Sequence, residues 1–93
     1  MNFATALDGY WIARKRDSSP NTIRDYSLTF ARFGDYLGTA TQIETVTTQK
    51  INAFLNHIKT TRKLGDKSMA NIWMALSSFF TWAETELRIT SIS

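Results

Sequence analysis

Apolar side chains recur at helical spacing in four segments of the chain, and the second segment is the most regular. Ser18 or Ser19 can cap its first turn, Pro20 suits the first helical position, and Gly38 can adopt the left-handed conformation that closes a helix. Between them, apolar residues spaced three and four positions apart fall on one helical face. This stripe consists of Ile23, Tyr26, Phe30, Phe33 and Leu37. The pattern predicts a helix over about 20–37.

Three further segments show the same periodicity, and the predicted helices cover about 3–16, 48–62 and 67–87. Their expected caps are Asn2, Thr47, and either Asp66 or Ser68. We expect Ile43 and Val46 to be tucked under the intervening connection. The side chains expected to face inward are Phe3, Leu7, Tyr10 and Trp11 in the first helix, Ile51, Phe54, Leu55 and Ile58 in the third, and Met69, Ile72, Trp73, Leu76, Phe79, Phe80 and Ala83 in the fourth.

Four helices joined by short connections predict an all-α, four-helix bundle in which sequential helices run antiparallel. The 93 residues, 43% of them apolar, suffice for one small domain over 1–93. The chain has no cysteine and one histidine, His57, which excludes disulfides and leaves no cluster for a metal; we expect no cofactor and no small-molecule ligand. No apolar run reaches the length of a membrane span, so the expected location is the cytoplasm and no membrane partner is expected.

The net charge of +3 is modest, but its predicted distribution is uneven. Antiparallel packing would put the starts of the second and fourth helices at one end of the bundle, here called the basic end. We expect it to carry Arg14, Lys15, Arg16, Lys59, Arg62, Lys63 and Lys67, opposed by Asp17 and Asp66. The opposite end would carry Asp8, Asp35, Glu44, Glu84 and Glu86, against Arg32, Lys50 and Arg88.

Two helix N-termini beside clustered cations predict a surface that binds phosphate, since free backbone N–H groups and the helix dipole attract anions. Lys15, Arg16, Arg62, Lys63 and Lys67 are the expected phosphate contacts. Arg24, Asn71 and Ser78 are candidates for the groove of duplex DNA. The full candidate DNA-binding set is Lys15, Arg16, Ser18, Ser19, Asn21, Thr22, Arg24, Ser27, Arg62, Lys63, Lys67, Ser68, Asn71 and Ser78.

Two other interpretations remain at this point. A helical protein-interaction module could dock a partner helix on Trp73, Met74 and Phe80, and exposed aromatics with dispersed cations would favour it. A small enzyme finds little support, because the chain shows no paired carboxylates, no Gly-rich phosphate loop and no nucleophile with its base.

Nearly the whole chain resembles the N-terminal core-binding, or SAM-like, domain of tyrosine recombinases and phage integrases. The resemblance rests on three segments in the family's order and spacing: SPNTIRDYSLTFARFGDYL, IETVTTQKINAFLNHI and KSMANIWMALSSFFTWAETELRI. It implies a four-helix unit that forms half of a clamp around duplex DNA, with the second and fourth helices crossing the major groove.

The resemblance also implies that catalysis belongs to a separate C-terminal domain, with an Arg, Lys and His set and a nucleophilic Tyr. No catalytic residue is therefore expected here, and Tyr10, Tyr26 and Tyr36 are not assigned as the nucleophile. Residues 88–93 would begin the linker to the catalytic domain. The domain is expected to be monomeric alone, while the parent recombinase would oligomerise on DNA.

Overall fold

The computed structural model describes residues 1–38 and 40–87, which form four α-helices and two 3₁₀ turns. The helices are α1 (Phe3–Arg14), α2 (Pro20–Leu37), α3 (Thr48–Arg62) and α4 (Asp66–Glu86), and the 3₁₀ turns are Lys15–Asp17 and Ile43–Thr45. The described residues form no sheet strand, and the predicted all-α fold is confirmed. The expected linker, 88–93, lies outside the described residues.

The start of α2 is built as its sequence predicts, and the structure decides between the two candidate caps. Ser19 is the N-cap, since its side-chain Oγ accepts a 3.1 Å hydrogen bond from the backbone N–H of Thr22. Ser18 instead donates its hydroxyl to the carbonyl oxygen of Arg14 at 2.9 Å and so satisfies the end of α1. At the far end, Gly38 has φ +90° and donates its N–H to Gly34.

The remaining helix ends confirm two predicted caps and correct a third. Asn2 Oδ1 accepts from the N–H of Thr5 at 2.8 Å, and Thr47 Oγ1 accepts from that of Lys50 at 3.3 Å. The prediction that Asp66 or Ser68 caps α4 is wrong, because Gly65 is the N-cap and makes no side-chain capping bond. The α-helical part of α1 ends at Arg14, two residues before the predicted boundary, and the 3₁₀ turn follows it.

The core is aromatic, and Phe79 of α4 lies at its centre. Its ring meets those of Phe3, Tyr10 and Phe30 at centroid separations of 5.3 to 5.7 Å, so α1, α2 and α4 converge on one side chain. Edge-to-face ring pairs each contribute about 0.5–1.5 kcal/mol beyond their buried area. The buried apolar side chains are Phe3, Ala6, Tyr10, Phe30, Phe33, Ile43, Val46, Ile51, Phe54, Ile58, Ile72, Ala75, Leu76, Phe79, Phe80, Trp82 and Ala83.

The two tryptophans of α4 differ in burial, and the prediction for Trp73 is wrong. Trp73, predicted to face inward, is 50% exposed, whereas Trp82 is 6% exposed and packs against Tyr10. The side of α1 that receives Trp82 includes Gly9. A Cβ atom at Gly9 would lie 3.0 Å from Cη2 of the indole, tighter than most Cβ contacts, so the indole would have to shift. Gly9 therefore allows the indole of Trp82 to approach the backbone of α1.

The connection between α2 and α3 is fastened to the beginning of the chain. Phe3 donates its N–H to the carbonyl of Thr41 at 3.0 Å, and Ile43 donates to that of Met1 at 2.9 Å. The side chains of Ile43 and Val46 are fully buried, as predicted. This stretch thus completes the core instead of lying loosely over it.

Helices α2 and α4 share a surface, and the depressions along it show the relative direction of the two helices. Thr22, in the first turn of α2, lines a depression with Ser77, Ser78 and Thr81 from the second half of α4. Arg32, three turns further on, lines another with Ser68 at the start of α4. The start of each helix therefore faces a later part of the other helix.

Candidate nucleic-acid interface

The starts of α2 and α4 lie at opposite ends of the surface that these helices share. The expectation that they lie together at one basic end is therefore corrected. It assumed that α2 and α4 run in the same direction, whereas the start of each helix faces a later part of the other. The predicted basic end is divided into two groups of cations, one beside each helix start.

The first group surrounds the start of α2. Arg14, Asp17, Ser18 and Thr22 line one shallow depression, and the 3₁₀ turn that carries Lys15 and Arg16 leads into it. The side chains of Arg14, Lys15 and Arg16 are exposed. The first-turn N–H groups of α2 point toward this edge, so backbone donors and guanidinium groups occur together.

The second group surrounds the end of α3 and the start of α4. Arg62, Lys63 and Lys67 are exposed, and Lys63 closes α3 in the left-handed conformation, with φ 52° and ψ 47°. Arg62 lines a depression with Arg32 and Asp35 of α2. Arg32, which the sequence analysis assigned to the acidic end, therefore belongs to this second cationic group.

Between the two groups lies a depression formed by α2 and the first half of α4. Asp25 of α2 lines it, and the α4 residues are Lys67, Ser68, Ala70, Asn71 and Met74. Ala70, Asn71 and Met74 are exposed, and Met74 is 57% exposed. We call this the α2–α4 depression.

Most predicted DNA-binding side chains lie on the surface, as an interface requires. The exposed residues are Lys15, Arg16, Ser19, Asn21, Arg24, Ser27, Arg62, Lys63, Lys67, Ser68 and Asn71. Ser18, Thr22 and Ser78 are half-buried. The hydroxyl of Ser19 serves the helix cap and also donates to Thr22 Oγ1 at 2.9 Å, so its capacity for a further partner is reduced.

Ser78 does not have the outward position expected of it. Its Oγ lies 2.8 Å from the hydroxyl oxygen of Tyr10, which is 2% exposed, and either oxygen can be the donor. The residue lies at the side of α4 that faces α1, and its hydroxyl is already paired. The proposed groove contact at Ser78 is therefore withdrawn.

Arg24 is held lightly by its neighbours on α2. Its Nη2 donates to Asn21 Oδ1 at 3.3 Å, and its Nε lies 3.8 Å from Asp25 Oδ1. The Arg24 side chain is 75% exposed. Surface contacts of this kind stabilise by a few tenths of a kcal/mol at most, so the guanidinium can exchange them for an external acceptor.

Two residues of this surface were missed by the sequence analysis. Asp25 and Arg32 both line depressions shared with α4, and both lie on the polar side of α2. Helical spacing shows that they point away from the stripe of α2, but it cannot show which neighbour they meet. The packing of α2 against α4 supplies that information.

The structure shows one tyrosine with a perturbed pKa at the edge of the first cationic group. Burial, and next the nearby Tyr10, raise the pKa of Tyr26 above its ordinary value of 10.0. Tyr26 also packs edge-on against Phe30 with a centroid separation of 6.1 Å. It is half-buried beside the start of α2 and remains neutral at physiological pH.

The structure also shows the side chains on which the protein-interaction and enzyme interpretations depend. Trp73 and Met74 are exposed, but Phe80 is 5% exposed and cannot belong to an open aromatic face. His57 is exposed and its ring lies 5.1 Å from that of Tyr36, as expected of a surface histidine. Within 1–38 and 40–87, no three His, Asp or Glu side chains are grouped as metal ligands would be.

In the described part of the chain, no helix has the length and apolar character needed to cross a membrane.

Comparison with known proteins gives one match. The family model described as phage integrase, N-terminal SAM-like domain, matches residues 7–86. A search of curated proteins and a search of solved structures found no match. The matched range includes α2, α3 and α4 and most of α1, and therefore both cationic groups and the depression between them.

Proposed function

Because the chain belongs to the family of phage integrase N-terminal SAM-like domains, we propose that it is the DNA-binding domain of a site-specific tyrosine recombinase. The family assignment supports a role in DNA integration and recombination. The partner that we propose is double-stranded DNA, which a protein of this kind would meet in the cytoplasm.

The single observation that best supports this function is the arrangement of cations around the surface shared by α2 and α4. Arg14, Lys15 and Arg16 lie at one end, while Arg62, Lys63 and Lys67 lie at the other. Duplex DNA presents phosphates on both sides of each groove. Two separated cationic groups, with a polar depression between them, suit that arrangement better than one compact cluster would.

In the proposed mechanism, phosphate contacts position the domain and groove contacts select the sequence. Lys15, Arg16, Arg62, Lys63 and Lys67 neutralise phosphates, and the free N–H groups of the first turn of α2 add uncharged donors. Arg24 and Asn71 extend toward base edges from α2 and α4. The N-terminal ends of both helices thus take part, although from opposite ends of the surface.

The chain itself would bind without catalysing. The matched family model describes an N-terminal domain, and the cutting and rejoining of strands through a phosphotyrosine would be carried out by a C-terminal domain of the parent protein. Half of a clamp closes around DNA when the second domain binds the opposite face. We propose that the domain is monomeric alone and that the parent oligomerises on DNA.

An NMR titration with duplex DNA tests this proposal. We expect amide shifts in residues 14–28 and 59–78, and a dissociation constant of roughly 10⁻⁴ to 10⁻⁶ M that rises steeply with salt. The internal control is the end of α4 at Glu84 and Glu86, which lies outside both expected ranges and whose amides should not shift. Binding that is independent of salt, or shifts confined to residues outside 14–28 and 59–78, would contradict the mechanism.

A second candidate function is supported by one observation at the contact of α3 with α4. Trp73, half exposed, lies at the edge of a groove formed with Ile51, Leu76 and Phe80, so a partner helix could bury its indole there. Trp73→Ala tests whether this groove is separate from the proposed DNA surface. It should leave DNA affinity unchanged if the groove serves a protein partner, and lower it if the indole contacts DNA.

A further inference from the structure

Asp25 is a negative charge in the middle of a surface proposed to meet phosphate. It lines the α2–α4 depression opposite Lys67 and Asn71. Its side chain is 49% exposed, and its carboxylate is 3.8 Å from the guanidinium of Arg24. The depression is flanked by both cationic groups, so any duplex held by them would pass over Asp25.

A carboxylate at this position weakens binding to every DNA sequence alike. It repels phosphates and reduces the field of the surrounding cations. A surface that served phosphate binding alone would gain affinity from a neutral residue here. The carboxylate therefore needs a role other than binding phosphate.

An ionised carboxylate accepts hydrogen bonds and donates none. In the major groove, cytosine presents the N4 amino group as a donor, adenine presents its N6 amino group beside the acceptor N7, which a carboxylate would repel, and guanine and thymine present acceptor oxygens. A carboxylate facing the base edges is thus favourable opposite the donor of cytosine and unfavourable opposite guanine or thymine. Asp25 would discriminate between bases both by its favourable contact with cytosine and by its unfavourable contacts with guanine and thymine.

The neighbours of Asp25 in the depression suit base edges as well. Asn71 carries an amide, which can pair with adenine at two atoms, and Met74 and Ala70 are apolar surfaces suited to the methyl group of thymine. These side chains are exposed around the carboxylate. The depression therefore combines an acceptor, an amide and an apolar patch, while the cations flank it.

We infer that Asp25 is a specificity residue, whose carboxylate accepts a hydrogen bond from the N4 amino group of a cytosine in the major groove, at the expense of affinity for DNA in general. This inference rests on the proposed function. Asp25 would select a base, whereas the cationic groups would contact phosphates and would not distinguish one base from another.

The test is enrichment of binding sites from a library of short randomised DNA duplexes, at low salt, with the whole chain and three variants. Asp25→Asn removes the charge at the depression. Asp17→Asn makes the same change beside the start of α2, and Asp8→Asn makes it on α1, away from both groups. We measure the enriched motif and, by fluorescence anisotropy, the affinity for an unrelated duplex.

We expect the unmodified chain to enrich a cytosine at one position, and Asp25→Asn to reduce that preference roughly tenfold. Asp25→Asn and Asp17→Asn should both bind the unrelated duplex several-fold more tightly, but Asp17→Asn should keep the motif. Asp8→Asn should match the unmodified chain in both measurements.

Enrichment of another base, no enrichment, or an unchanged preference in Asp25→Asn would overturn the inference. Salt-dependent binding in the same experiment would still support the proposed function. Failure of the unmodified chain to bind any duplex at low salt would overturn the proposed function itself.

Discussion

The hydroxyl oxygens of Tyr10 and Ser78 lie 2.8 Å apart and join α1 to α4 at the edge of the aromatic core. Tyr10 is 2% exposed and its ring contacts those of Trp11, Phe30, Phe79 and Trp82. Because the ring is so enclosed, its hydroxyl has little access to water and depends on Ser78 for a partner. The pair belongs to the fold and not to a DNA surface.

Ser78→Ala should lower the free energy of unfolding by about 1 kcal/mol, because the hydroxyl of Tyr10 loses its partner. Affinity for DNA should not change. Urea denaturation measures the first quantity and fluorescence anisotropy the second. The neighbouring Ser77→Ala is the matched control, and combination with Tyr10→Phe completes a double-mutant cycle. A loss of DNA affinity in folded Ser78→Ala would restore Ser78 as a groove contact.

Gly9→Ala should lower the free energy of unfolding, although alanine is the better helix former. The intrinsic gain is about 1 kcal/mol, but the new methyl group would lie 3.0 Å from the buried indole of Trp82, which is packed on Tyr10 and cannot retreat easily. Thermal denaturation measures the net effect.

The background variant Trp82→Phe isolates the cause, because it removes the benzene ring of the indole that meets Gly9. In that background Gly9→Ala should be neutral or stabilising. A stabilising effect of Gly9→Ala in the unmodified chain would show that Trp82 shifts freely, and would contradict the close packing described here.

Removal of single cations should separate phosphate contacts from solvated charge. Arg16→Ala and Lys67→Ala should each weaken DNA binding and reduce the slope of log affinity against log salt by about 1. Lys50→Ala, at the start of α3, is the control that removes one equally exposed positive charge elsewhere. Equal effects of all three variants would indicate that net charge, and not these positions, governs binding.

Gly65→Ser should raise the free energy of unfolding by about 0.5–1 kcal/mol. Gly65 is the N-cap of α4, its φ of −79° and ψ of 174° suit serine, and a Cβ atom there meets nothing within 4 Å. The serine would add a capping oxygen and restrict the unfolded chain. Gly38→Ser is the contrasting variant: φ +90° at that position strains any side chain, and stability should fall. Chemical denaturation of both variants measures these opposite effects.

Alkaline titration should find Tyr26 as a late-ionising tyrosine. Burial raises its pKa in the folded chain above 10.0, so the folded state holds the phenolic proton more tightly than the unfolded state. Its contribution to stability is therefore complete below pH 10 and is lost as the pH rises through the folded pKa. Ultraviolet absorbance follows the ionisation, and comparison with Tyr26→Phe identifies the step that belongs to Tyr26. A Tyr26 that ionises at 10.0 would contradict this placement.

The helices of this fold could be predicted from the sequence, because the signals that start each helix and form its apolar stripe are local. The caps at Asn2, Ser19 and Thr47 and the stripe of α2 are determined by residues within one or two turns of one another. The start of α4 was harder to locate, since Gly65 caps it without a side chain and the polar residues after it suggested a later start.

How the helices pack against one another was harder to predict from the sequence. Trp73 and Trp82 are both compatible with a broad apolar face, and only the neighbours of α4 decide that the indole of Trp82 is buried against Tyr10. Likewise, the two helix starts were expected together because sequential helices were taken as antiparallel. The relative direction of α2 and α4 depends on how the aromatic side chains pack together, which periodicity does not encode.

Because Trp73 and Trp82 differ in burial, their intrinsic fluorescence can report on different events in the domain. Trp82, sealed in the core, should emit at short wavelength and respond to unfolding, whereas Trp73, half in solvent, should emit at longer wavelength and respond to whatever covers the groove of α3 and α4. Trp11 is half-buried and also emits, so replacing each of the three tryptophans in turn with phenylalanine assigns the signals. One unlabelled sample can then distinguish loss of structure from arrival of a partner.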